Sequence, residues 1–210
     1  MLLLGVGDVV RLFAGIASPW WIAQPEYWII PLQTVVCGWL FFIYWKDFQF
    51  SPPKALPETL GIGVLVFIIW ISPQAFFGAE PRTEGFQPSL VFASPAVQIG
   101  MLIIRFIRLV IIVPLLEEIF WRGFLLRYFV NDAFYKVAVG RTTMAGFWIV
   151  AFLFMLAHNQ ADWAAAFITG ALYNLLLLRS RSVMSCVIAH ALTNLLLGIY
   201  IMRTGQWGFW

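Results

Sequence analysis

The stretch that decides the reading is PLLEEIFWRGFLLRYF, Pro114–Phe129. Glu117, Glu118 and Arg122 stand there in a run that is otherwise almost entirely apolar. An ionisable group inside a bilayer is expensive, so it marks a packed ion pair or a site. On a helix, Glu118 and Arg122 are four apart with the acid on the N-terminal side, the favourable order for a same-face pair. Glu117 is turned about 100° from Glu118 and should face elsewhere. The glutamates therefore divide: Glu118 is expected to neutralise Arg122 and hold the helix, and Glu117 stays available for chemistry.

The surrounding composition says that this run lies in a membrane. The chain has 210 residues, 62% hydrophobic and 11% charged. A soluble domain usually carries about 25% charged residues. Several nearly charge-free windows are long enough to cross a bilayer as helix, which takes about 20 residues. The expected fold is all-α, a polytopic transmembrane helical bundle of about six to eight membrane helices in one integral membrane domain over 1–210. Expected spans are Val9–Ala23 (the shortest), Tyr27–Trp45, Thr59–Phe77, Val97–Leu116, Thr143–Ala157, Trp163–Leu178 and Val183–Ile201. The N-terminal MLLLGVGDVVRLF reads as mature chain rather than a cleaved leader. Val97–Phe129 is too long for one perpendicular span and is expected to tilt, or to break at Pro114. Within it, Arg105 and Arg108 share one face; they read as snorkelling side chains or a structural pair, with a substrate or lipid contact as the alternative.

Charge and cysteine usage narrow the partners. The net charge of +3 comes from basic residues scattered singly between apolar segments, with no run that could track a nucleic-acid backbone. Lys46, Lys54, Lys136, Arg141, Arg179 and Arg181 fall in three alternate loops, which assigns those loops to the cytoplasm. The opposite loops hold Arg82 and the tail residue Arg203. Cys37 and Cys186 lie in apolar segments and read as small hydrophobes.

The only two histidines, His158 and His190, also fall in or at the end of apolar segments. His190 and Asn194 are four apart, as are Phe154 and His158, so each pair shares a helix face. Glu117 before the loop at Asn131, and His158 after Thr143, lie at similar depth, roughly 21 Å from the basic loops and nearer the outer face. A lone intramembrane histidine could simply bond a backbone carbonyl, and a glutamate pair could simply clamp helices. A packing role needs one or two such groups, whereas this chain gathers five.

The motifs E-E-x-x-x-R (EEIFWR, 117–122), F-x-x-x-H (FMLAH, 154–158) and H-x-x-x-N (HALTN, 190–194), in this order, resemble the type II CAAX prenyl endopeptidases, also called the Abi or CPBP family of intramembrane proteases. GALYNLLLLRSRSVMSCVIAHALTN is similar to that family's stretch through its last motif. The resemblance covers about residues 100–200; the first hundred residues carry no assignable motif. It implies peptide hydrolysis in the membrane, on a membrane-anchored or lipid-modified protein substrate. Glu117 would be the general base on water, with His158 positioning it. His190 and Asn194 would bond the oxyanion. Glu118, Arg122 and Phe154 would support the site. A partly dry pocket suits a carboxylate base. No cofactor is expected; zinc is the alternative, with Glu117, His158 and His190 as ligands. The small size points to a prokaryotic cytoplasmic (inner) membrane. Two other functions stay open: a non-enzymatic immunity or scaffold protein of the same fold, and a proton-coupled transporter with a Glu117–His158 relay. The second lacks the inverted repeat such transporters show.

Overall fold

The computed structural model describes residues 9–10, 12–13, 15, 18–48 and 50–210. Six helices organise it: α1 Glu26–Ile43, α2 Leu56–Phe76, α3 Pro95–Tyr128, α4 Met144–Leu156, α5 Trp163–Ser180 and α6 Val183–Thr204. Among the described residues there is no strand. Five helices are long and apolar enough to cross a membrane, α1, α2, α3, α6 and α5 with its leading turn; α4 is a shorter apolar helix. The chain is thus a helical membrane bundle, as composition indicated. The N-terminal reading lies outside the described residues, as does part of the expected span Val9–Ala23; its described end is a single helical turn, Trp20–Ala23.

One expectation changes, and one open alternative is decided. α4 is 13 residues long, or about 20 Å of helix, short of the roughly 30 Å apolar core of a bilayer. The expected span Thr143–Ala157 therefore does not cross unaided, and His158 lies just past its end. α3 runs through Pro114 without breaking. Its backbone shifts to wider π turns at Arg108–Ile112 and again at Ile119–Leu125. Proline removes a donor from the helix ladder, and local π adjustment is one way a membrane helix re-pairs the carbonyl so freed.

The described residues pack as two compact units. One joins those of 1–48 with 82–112 and 200–210. Its core is aromatic: Tyr27 stacks on Phe86 with ring centroids 4.6 Å apart, and the Tyr27 hydroxyl accepts from the Gln87 amide at 2.9 Å. Val91, Phe92, Met101 and Trp210 close around them. The tail is tied down where Gly208 N–H donates to the Arg82 carbonyl at 2.9 Å.

The second unit joins 50–81 with 113–199, and it holds every candidate site residue. Small residues let its helices touch. A Cβ on Gly170 of α5 would sit 3.0 Å from Ala151 Cα of α4, and one on Gly63 of α2 would sit 2.8 Å from the Ala189 carbonyl of α6. Small-residue contacts of this kind are how membrane helices approach, since lipid offers no hydrophobic push. Val66, Trp121, Val150, Phe154, Tyr173 and Leu177 fill the core between them. At one end the three basic loops meet. The Lys54 amide donates to Ser185 Oγ, Ser182 Oγ bonds the Pro52 carbonyl, and a Cβ on Gly140 would reach Arg181 Cγ at 3.0 Å. One shared end for these loops is what a common membrane side requires.

Candidate active site

The site grows from Arg122, which is fully buried in the second π turn of α3. A desolvated guanidinium must spend its donors on acceptors. Arg122 Nη1 donates to Glu118 Oε1 at 3.1 Å, Nε to Asn174 Oδ1 at 3.2 Å, and Nη2 to the Gly170 carbonyl at 3.1 Å. Its faces are covered by the rings of Phe154 and Tyr173, 4.8 and 5.3 Å from the guanidinium carbon. The expected Glu118–Arg122 pair is present.

Glu118 does more than balance Arg122. The same oxygen, Oε1, accepts from His190 Nδ1 at 2.8 Å. Glu118 thus joins α3 to α6, and it fixes which nitrogen of His190 remains: Nε2 is the one turned elsewhere. The His190 ring also lies 5.5 Å from that of Tyr173. The Tyr173 hydroxyl bonds Thr193 Oγ1 at 2.8 Å, and Thr193 in turn bonds the Gly63 carbonyl at 2.8 Å. Asn194 lies half-buried one turn beyond His190.

His158 is reached through Phe154, whose ring touches both Arg122 and the His158 ring, the latter at 4.7 Å. His158 Nδ1 lies 2.7 Å from the Phe154 carbonyl. A carbonyl can only accept, so Nδ1 carries the hydrogen and Nε2 keeps its lone pair when the ring is neutral. Trp70 of α2 packs its edge on the same imidazole at 5.6 Å and donates its Nε1 hydrogen to Thr169 at 2.9 Å.

The structure thus links Glu118, Arg122, Phe154, His158 and His190 in one connected set. Glu117 makes no hydrogen bond to it. Glu117 is half-buried, and its Oε2 is buried with no hydrogen-bond partner, as is the second oxygen of Glu118, Oε2. A buried carboxylate oxygen normally has a partner, and an exception calls for an explanation. The conditional zinc set is not assembled: among the described residues no three His, Cys, Asp or Glu side chains are grouped to hold a metal, Glu117, His158 and His190 included.

Residues outside the motifs complete the support. Asn174 Nδ2 donates to the Phe147 carbonyl at 2.9 Å while its Oδ1 holds Arg122, so it pins α3 and α4 to α5. A lone amide in the apolar helix segment ALYNLLLL was the available signal. The Gly170 carbonyl left none, since a backbone acceptor has no side-chain mark.

Comparison with known proteins bears on the same segment. Residues 99–196 match the model of one family, Rce1-like, described as type II CAAX prenyl endopeptidase Rce1-like. This segment, just under half of the chain, resembles that family. Comparison with the curated proteins and with the solved structures returned no match. The family is one of membrane CAAX proteases, and its matched segment contains all three motifs.

Proposed function

We propose that the protein is an intramembrane endopeptidase that hydrolyses a peptide bond of a membrane-anchored or lipid-modified protein, with Glu117 as the general base. The observation that carries this reading is the contrast between adjacent carboxylates. Glu118 is wholly buried and its Oε1 is engaged by both Arg122 and His190, whereas among the described residues Glu117 is tied to neither; each glutamate keeps a buried Oε2 without a partner, but only Glu117 has no structural bond to hold it. A carboxylate with an open oxygen is what a water needs in order to surrender its proton.

In this reading each group of the site has a role. Glu117 takes a proton from water as the oxygen attacks the scissile carbonyl. His158 offers Nε2 to orient that water, because Nδ1 is spent on the Phe154 carbonyl. The carbonyl oxygen becomes an oxyanion, for which Asn194 and, when protonated, Nε2 of His190 are the donors. Glu117 then returns the proton to the departing amine. Glu118, Arg122 and Asn174 keep the helices in register.

The host membrane we infer is a prokaryotic inner membrane. α4 runs from the end where the basic loops meet to His158 at the other, which supports a site nearer the outer face.

Glu117→Gln keeps the shape and removes the base. Protein termini in membranes expressing the wild type are compared with those from the variant, at equal level and with folding checked. The variant is expected to lose cleavage by about 10²–10⁴-fold. Identical termini in both samples would overturn the protease reading and leave the immunity or scaffold reading.

A further inference from the structure

α3 carries a second buried arginine, and the proposed reaction does not use it. Arg105 belongs to the first unit and is 5% exposed, so it does not snorkel as its place in the sequence suggested. Its guanidinium carbon lies 5.4 Å from the ring centroids of Phe86 and of Trp210. Its Nε is buried with no hydrogen-bond partner. Among the described residues no carboxylate pairs with it; Glu26 and Arg108 act on it through space, with opposite signs. The indole Nε1 of Trp210 is likewise buried and unpartnered.

Magnitudes decide what this means. A cation–π contact contributes about 0.5–2 kcal/mol. Removing one unpaired ion from water costs several kcal/mol even after relaxation. Two rings offset only part of that, and they do nothing for the two orphan N–H donors. The missing partner must accept hydrogen bonds, donate none and carry negative charge.

We propose that Arg105 and Trp210 form a phosphate-binding site that takes the headgroup of an anionic phospholipid. The planar guanidinium fork matches two phosphate oxygens at once, and the indole N–H is a donor for a third. Phe86 and Trp210 wall the group off from water. The lipid source follows from the same helix: Val97, Ile99, Ile103 and Ile107 of α3 are exposed and apolar, a surface on which acyl chains can lie while the headgroup turns inward.

The test uses the full chain, stripped of lipid in a neutral detergent. It is titrated separately with phosphatidylglycerol, with diacylglycerol of the same chains, and with inorganic phosphate. Binding is counted by native mass spectrometry and thermal stability is followed alongside. Phosphatidylglycerol is expected to bind and to raise Tm, with diacylglycerol inert. Arg105→Gln should weaken binding at least about tenfold, the loss of one charged partner. Trp210→Phe, which keeps the ring and drops the donor, should weaken it less. Inorganic phosphate binding that Arg105→Gln abolishes would support the site while assigning it to free phosphate. Unchanged lipid binding in Arg105→Gln, equal binding of diacylglycerol, or no binding by either phosphate source would overturn the proposal. Lipid-free Arg105→Gln should melt at or above wild type, since an uncompensated charge is gone. An equal fall in Tm with and without lipid would make Arg105 a packing element and overturn the proposal.

Discussion

α3 carries two buried arginines with opposite circumstances. Arg122 has a carboxylate, an amide oxygen, a backbone carbonyl and two aromatic faces around it, all from the chain itself. Arg105 has two rings and an orphan Nε. Burial is nearly the same; compensation is not. The difference teaches that a buried charge in a membrane helix is not one kind of feature. Where the chain supplies every acceptor, the arginine is a structural rivet. Where it supplies none, the acceptor has to arrive from outside.

The contrast can be broken at several points. Arg122→Met should have the largest effect, because it leaves Glu118 buried with only His190: about 3–5 kcal/mol of stability lost, measured by denaturant titration in detergent. Asn174→Leu should cost about 1–3 kcal/mol, since Arg122 Nε and the Phe147 carbonyl both lose a partner; a loss under a few tenths would show that Arg122 is held without it. Thr193→Val removes the acceptor of the Tyr173 hydroxyl and should cost about 0.6–1.7 kcal/mol, the range for hydrogen bonds between membrane helices, read as a small drop in Tm. Arg105→Met should be the mildest in lipid-free detergent, neutral or stabilising, as when buried ions give way to apolar side chains. If Arg105→Met proves as damaging as Arg122→Met, the two arginines are alike and the comparison fails.

What could be read ahead of the structure depended on whether side-chain type carried the information. Apolar windows announced the bundle, and E-E-x-x-x-R announced the ion pair, because four-residue spacing puts Glu118 and Arg122 on one face even through a widened turn. The Glu118–His190 bond was harder, since it joins segments far apart in sequence and needs the packing of α3 on α6. The end of α4 before His158 was legible, since the expected span stops at Ala157, but that its 13 residues fall short of a bilayer's apolar core was not drawn from the apolar run. Between a tilted helix and a break at Pro114 the sequence left the choice open, and the π turns were not foreseen: they are a matter of backbone register and leave no mark in residue pattern. Glu117 was marked out for catalysis by its angle from Glu118, and its unsatisfied oxygen gives that expectation a physical form without testing it.

The π turn at Ile119–Leu125 has a consequence for how this segment tolerates length changes. A wide turn holds surplus backbone that an ordinary α turn would not accommodate, and it lies immediately after the two glutamates. Removing one residue within it should let the helix relax to regular α geometry while the flanking parts of α3 keep their register. A deletion in the regular α turns of 113–118 has no such slack and should rotate the residues on either side by about 100° against each other. Single-residue deletions at 119–125, apart from Trp121 and Arg122 themselves, should therefore be better absorbed than deletions at 113–118. A deletion scan scored by expression and folding would show the turn as the tolerant stretch of α3.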